Sequence, residues 1–316
     1  AAVHDAPFSP LWHECVSAEL KNLEISSGRQ ADDAREVGLG GNLYAGKVLP
    51  SPLSILGPVC LDIKERGLLR NVCVMPQSKV LDLKPGLVQV QVCAVGLNFK
   101  DLLNVLLPTE AAYVGAVPEP GADFAGIVQA LPRGYHGDLA VGDRVFGLSP
   151  QGMLRSHALA PSNCLARMPP HLNFEEAATL PMVFLTVEYA LAEQAKLKAG
   201  ERILVHSAAG GVGLAAIQYA RRVGAEVFAT ASEPKHAYLR SLGVRFISTS
   251  RDEAAFSSEV QAMAGERGVD VVLNSLTSGD MIGKSLGLLA NGGRFIEIGK
   301  RGIWSPERVS AVRPDV

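Results

Sequence analysis

The stretch Arg202-Ile203-Leu204-Val205-His206-Ser207-Ala208-Ala209-Gly210-Gly211-Val212-Gly213 decides how this chain folds. An apolar run of buried-strand type gives way to residues with little or no side chain, and an apolar helix opens behind them. Small side chains let a backbone come close to a phosphate, and the first N–H groups of the helix, at the positive end of its dipole, face the anion. Ala209, Gly210, Gly211, Val212 and Gly213 therefore read as the pyrophosphate cradle of a dinucleotide. Against the pattern G-x-G-x-x-G, Ala208 replaces the first glycine. A strand before, a helix after and a second strand at the expected distance supply the context such a motif needs.

Outward from that turn, the chain from Pro181 onward alternates strands and helices. Strands are predicted at 203–206, 226–230, 245–248, 269–274 and 293–298, with helices at 212–223, 234–242, 254–264 and 280–290. Near-continuous apolar strands with helices between them indicate a parallel, doubly wound sheet. The order 3-2-1-4-5-6 calls for a sixth strand, and none is found, so the nucleotide domain reads as C-terminally incomplete. Residues 42–165 instead show short strands and turns, as at 87–94, 126–128 and 143–146, punctuated by Pro85-Gly86 and Val141-Gly142-Asp143. Residues 1–40 have no clear period and carry the break Gly38-Leu39-Gly40-Gly41. The expected division is a junction at 1–70, a β-rich substrate domain at 71–180 and a Rossmann-type nucleotide domain at 181–316, an α/β chain as a whole.

Composition agrees. A chain of 316 residues, 47% hydrophobic and 20% charged, can bury two cores. A formal charge of −2 gives no reason to expect a nucleic-acid partner. Five cysteines without a C-x-x-C pair favour a reducing, cytoplasmic setting over a disulfide framework or a zinc ribbon. With His4, Asp5, Pro7 and Pro10 in the first ten residues, no secretory signal peptide is expected there. The apolar 203–220 region is interrupted by Gly, Ser, His and Gln and does not read as a membrane span.

The end of the second strand separates NAD from NADP. An NAD site uses an acidic residue there to accept from the ribose 2′-OH. Here Thr230 and Ser232 offer hydroxyls and Lys235 offers charge; Arg251 after the third strand reads either as a second cation or as a solvated surface residue. That set suits a 2′-phosphate, and NADPH is the expected cofactor. Glu233 dissents, and Pro234 beside it marks a turn that turns it outward.

Six motifs occur in order: Val95-Gly96-Leu97-Asn98-Phe99-Lys100-Asp101, Gly142-Asp143-Arg144-Val145, Pro181-Met182-Val183-Phe184-Leu185-Thr186, the phosphate turn, 268–276 (Gly-Val-Asp-Val-Val-Leu-Asn-Ser-Leu) and 292–300 (Gly-Gly-Arg-Phe-Ile-Glu-Ile-Gly-Lys). Over about residues 70–316 the chain resembles the enoyl reductase domain of type I polyketide synthases and animal-type fatty acid synthases. That family is a zinc-independent branch of the medium-chain dehydrogenase/reductase superfamily with a GroES-like substrate domain. Alcohol-dehydrogenase relatives place a zinc-binding Cys at the position of Asn98 and a His-Glu pair where this chain reads Gly121-Ala122-Asp123. Neither Asn98 nor Ala122 suits zinc and no four-Cys lobe exists, so no metal is expected.

The resemblance implies reduction of a trans-α,β-enoyl thioester on an acyl carrier protein, within a synthase that also holds ketoreductase or dehydratase domains. It implies a tail beyond residue 316 that carries an Asp partner for the catalytic Lys. Lys300, at the carboxyl end of the last predicted strand, is the first candidate for the catalytic group; the bland reading is a surface Lys. Tyr113 is the second candidate, with a packing role as its alternative. By resemblance Asn98 and Thr186 face the nicotinamide, and Asn274, Leu276, Ile298 and Gly299 line the same cofactor. A helix cap at Thr186 and a turn-forming Asn274 are the alternatives. His206 reads as a packed, hydrogen-bonded residue, and His136, His157 and His171 receive no role. Two other functions stay open: a free-standing quinone or enone reductase, and a catalytically silent structural domain.

Overall fold

The structure is a computed structural model that describes residues 57–77, 81–106, 119–300 and 302–316. The chain divides into two compact units between Met182 and Val183.

The first unit holds a five-stranded antiparallel sheet in the order β6-β3-β4-β5-β7. Its strands are β3 (Leu87–Gly96), β4 (Asp123–Ala130), β5 (Arg144–Leu148), β6 (His157–Pro161) and β7 (Leu165–Arg167). Alternation in β3 puts Val88 and Val90 inward against Phe124, Val145 and Met153. Residues 57–70, read from sequence as part of a junction, belong to this unit. Within them β1 (Val59–Ile63) pairs antiparallel with β2 (Val72–Pro76). Leu61 N–H donates to Leu154 O (2.8 Å) and Ser156 N–H to Val59 O (2.7 Å), which ties the hairpin back to the unit.

Between β3 and β4 lies helix α1 (Phe99–Leu106). After β7 come the short α2 (Phe174–Ala178), closed at its start by an Asn173–Glu176 capping box, and α3 (Pro181–Val187). α3 runs on as a π-helical turn over Glu188–Gln194. Gly96 ends β3 at a crowded point: an added Cβ would lie 2.1 Å from Ala178 O and 3.0 Å from Asp123 Cβ. No other residue type fits there, which accounts for the glycine in its motif.

The second unit is a five-stranded parallel sheet in the order β10-β9-β8-β11-β12. The strands are β8 (Arg202–Val205), β9 (Glu226–Ala231), β10 (Phe246–Thr249), β11 (Val269–Asn274) and β12 (Leu289–Glu297). Renumbered within the unit this is 3-2-1-4-5, the doubly wound order, with the switch point between β8 and β11. Two cores cover the two faces. Ile203, Val205, Val227, Ala229, Val271 and Leu273 pack with α4 (Gly211–Val223) and Leu239 of α5 (His236–Ser241). Leu204, Phe228 and Val272 pack with α6 (Glu253–Ala264) and α7 (Met281–Gly287). Period-2 alternation along each strand thus divides the apolar side chains between both helical layers. A last helix, α8 (Pro306–Val312), capped by Ser305, was not anticipated. No described helix is long and apolar enough to cross a membrane.

Candidate functional site

The phosphate turn sits where the sequence placed it, between β8 and α4. Gly210 is the N-cap of α4 in extended conformation, and its own N–H donates to Ser207 O (2.8 Å). Gly210 and Gly211 are exposed, and the first N–H groups of the helix have no partner within it. Ser207 adopts φ 51°, left-handed backbone that a residue with a Cβ rarely takes. Its hydroxyl accepts from Ser275 Oγ across the switch point (3.2 Å). Gly213 faces the other way: a Cβ there would lie 2.6 Å from the backbone of Ala208. This glycine lets the helix lie on the turn, and Gly213→Ala should cost about 2 kcal/mol through overpacking. Chemical denaturation checks this, and an unchanged midpoint would show that the helix can slide to make room.

The carboxyl ends of parallel strands form the edge where ligands bind in such folds. That edge carries the turn at 207–213, Ser232 and Lys235 after β9, Arg251 after β10, Ser275 and Leu276 after β11, and Ile298, Gly299 and Lys300 after β12. Ser232 is half-buried, while Lys235, Arg251 and Lys300 are exposed.

Thr230 requires correction. It is fully buried, and its hydroxyl is bonded to His206 Nδ1 (3.0 Å), so it cannot reach a 2′-phosphate at the rim. Asn274 is corrected in the same way. It is also fully buried; its Nδ2 donates to Glu297 Oε2 (2.7 Å) and Leu276 O (3.2 Å), and its Oδ1 accepts from Leu276 N–H (3.3 Å). Its amide closes a turn, both of its N–H donors are taken, and its burial keeps the remaining Oδ1 lone pair from a ligand. Leu276 has both backbone polar groups engaged by that amide and packs on the core beneath α7, which limits it to apolar contact. Ile298 N–H donates to Asn274 O (2.9 Å) and its side chain packs on the α4 face. Gly299 N–H donates to Glu297 Oε1 (2.6 Å). Glu297, not singled out in the sequence, therefore fixes both the β11 turn and the backbone leading into Lys300.

These corrections share one cause. Ser248 pairs with Thr230 in register, Thr230 bonds His206, and Asn274 pairs with Glu297, so a polar row crosses the sheet just below its carboxyl edge. It is satisfied internally. Ser285 Oγ donates to Met281 O (2.6 Å), so at 2.9 Å it must accept from His206 Nε2–H. His206 Nδ1 then accepts from Thr230. Burial drives the His206 pKa down to about 3, so the ring is neutral and braces the strand ends.

In the first unit Asn98 directly precedes α1. Its N–H donates to Asp101 Oδ2 (2.7 Å), and Asp101 Oδ1 accepts from Gly121 N–H (2.8 Å). A buried carboxylate three residues into the helix thus pins two loops at once. Asn98 Nδ2 donates to Asp123 Oδ2 (2.9 Å), and Asp123 Oδ1 accepts from Met182 N–H (3.0 Å). Both aspartates lay within quoted motifs, and the Asn-x-x-Asp spacing of a capping box was the signal that could have marked Asp101. Thr186 is half-buried within α3, one residue before its end, and so does not cap it. Tyr113 lies outside the described residues. Among the described residues no group of three or more His, Cys, Asp or Glu side chains could hold a metal ion.

Comparison with known proteins follows the same division. Residues 84–170 match the alcohol dehydrogenase GroES-like domain and residues 211–313 the zinc-binding dehydrogenase family. The chain is 40% identical, over 99% of its length, to the phenolphthiocerol synthesis polyketide synthase type I Pks15/1 of Mycobacterium bovis, and covers 15% of that protein. It is 46% identical over 72% of its length to the spectinabilin polyketide synthase system protein NorB of Streptomyces orinoci, covering 10% of it. The chain thus spans a small part of these synthases. The crystal structure of CurK enoyl reductase superposes with a TM-score of 0.76 at 42% identity, over 82% of this chain and 79% of that one. The chain belongs to the polyketide synthase enoyl reductases, oxidoreductases of the medium-chain dehydrogenase/reductase superfamily that use a nicotinamide cofactor and act on CH–CH groups.

Proposed function

We propose that this chain reduces an α,β-enoyl thioester presented on an acyl carrier protein, with NADPH as the reductant, inside a larger cytoplasmic synthase. What carries the reading is the glycine cradle at 210–213, with Lys235 and Lys300 on the same sheet edge. The cradle fits a dinucleotide: Gly210 and Gly211 are exposed and bare of side chains at the N-terminus of a long helix. When bound, the cofactor supplies hydride to the β-carbon.

The chain's own residues do the rest. Helix α4 and the turn hold the pyrophosphate, and Ser232, Lys235 and Arg251 take the 2′-phosphate. Asn98 and Thr186 position the nicotinamide. Lys300 stabilises the negative charge that develops on the thioester oxygen or donates the proton to the α-carbon, with Tyr113 as the second acid.

The test is absorbance at 340 nm with crotonyl thioester of pantetheine or of carrier protein. NADPH oxidation is expected with the thioester and not with quinones. Quinone turnover alone would support a free-standing reductase, and tight NADPH binding without turnover a silent domain. Lys235→Ala should weaken NADPH about tenfold and leave NADH unchanged, since a charged hydrogen bond contributes roughly 1.5 kcal/mol or more. Equal losses for both cofactors would remove Lys235 from the 2′-phosphate.

A further inference from the structure

Asp123 opens β4 at 1% exposure, and the scheme above does not use it. Its two oxygens have different partners: Oδ1 accepts from Met182 N–H (3.0 Å) and Oδ2 from Asn98 Nδ2–H (2.9 Å). The charged group facing it is Asp101 on α1, itself 4% exposed. From β3 and β5 it pairs with Gly96 and Leu148, and from α3 it meets a backbone N–H, so no cation compensates it among the described residues.

We propose that Asp123 is a positioning residue whose charge state decides which end of the Asn98 amide is offered to the nicotinamide half of the cofactor. The inference rests on Asn98 touching that cofactor, as assigned above. An ionised carboxylate only accepts, so it holds Asn98 by Nδ2 and leaves Oδ1, which makes no hydrogen bond among the described residues. Once protonated on Oδ2, the acid becomes a donor. Asn98 then turns over, accepts that proton with Oδ1 and releases its NH2 group instead. Oδ1 of Asp123 keeps Met182 N–H in both states, so the change needs only a half-turn of one amide. Burial, with the nearby Asp101 charge, raises the Asp123 pKa to about 7. The proposal sets an N–H of the nicotinamide carboxamide against this amide, and that donor meets an acceptor only in the ionised state. Binding of the nicotinamide half should therefore tighten as pH rises through about 7.

The experiment is fluorescence titration with NADPH between about pH 6 and 8.5, with 2′-phospho-ADP-ribose alongside. The second ligand carries the same 2′-phosphate and pyrophosphate and lacks the nicotinamide. The dissociation constant for NADPH should fall about fivefold more than that for 2′-phospho-ADP-ribose across this range, the effect of one net hydrogen bond. In Asp123→Asn, which is isosteric and cannot ionise, the two ligands should follow parallel profiles. Independently, the 15N-labelled side-chain NH2 of Asn98 should shift in NMR with a midpoint near 7 in the ligand-free protein. Parallel profiles in the wild type, or a stationary Asn98 signal, would overturn the proposal. Absence of NADPH binding at every pH would overturn the cofactor assignment instead, and the NMR titration would still decide on Asp123.

Discussion

Lys300→Ala is expected to lower kcat for a crotonyl thioester by roughly 100- to 1,000-fold while leaving the dissociation constant for NADPH unchanged. That magnitude is what removal of one preorganised group facing transition-state charge removes elsewhere. The position supports it: Lys300 lies three residues past the end of β12, on the edge that also carries the phosphate turn. Its backbone approach is held, because Glu297 accepts from Gly299 N–H and from Asn274 Nδ2 at 2.6 and 2.7 Å. Lys300→Arg separates the two roles. Arginine keeps the positive charge but does not give up its proton, so substantial recovery assigns Lys300 to charge stabilisation. No recovery, with NADPH still bound, assigns it to proton delivery. Full activity in Lys300→Ala would take it out of the mechanism and leave Tyr113 as the acid.

Why the sequence reports some of this structure and not the rest can be seen at single residues. β11 was bounded correctly at Val269–Asn274 because its flanks are unambiguous. Gly268 before it takes φ 69° against Leu288 O, and a turn-forming Asn ends it. β12 was set too late, at 293, with the preceding helix carried to 290. Leu288-Leu289-Ala290 fits either period, and pairing of Leu289 with Val269 across the sheet, a tertiary contact, decides for strand. The Rossmann-type sheet followed from strand–helix alternation alone. The fate of Thr230 and Asn274 did not, because a strand-end position says nothing of which way its side chain faces. Parity held the answer: Thr230 lies two residues past Phe228, and Asn274 two past Val272, both on the face packed by α6 and α7. Asp123 escaped notice because its property arises from burial by segments distant in sequence, which no local motif records.

That burial has a second consequence, large enough to measure without a ligand. A carboxylate whose folded pKa is raised, here from 3.8 to about 7, makes the folded state bind a proton that the unfolded state has released. The associated stability is fully present below pH 3.8 and is lost as pH rises through about 7. A shift of about three units corresponds to roughly 4 kcal/mol. Other groups act in the opposite sense. His206, held neutral at about 3, contributes stability that is lost as pH falls below its ordinary value, and Glu201, lowered by Arg294, does the same in the acid range. The absolute pH profile therefore mixes signs, and the comparison must be with Asp123→Asn, in which every other group is retained. Asparagine can satisfy the same neighbours: its Oδ1 accepts Met182 N–H, and its NH2 donates to a turned Asn98. Urea denaturation at about pH 4 and pH 8 should then show the variant gaining roughly 4 kcal/mol on the wild type between the two. Parallel stability curves would mean that water or rearrangement reaches Asp123 when it ionises, and its pKa would then be that of an ordinary carboxylate.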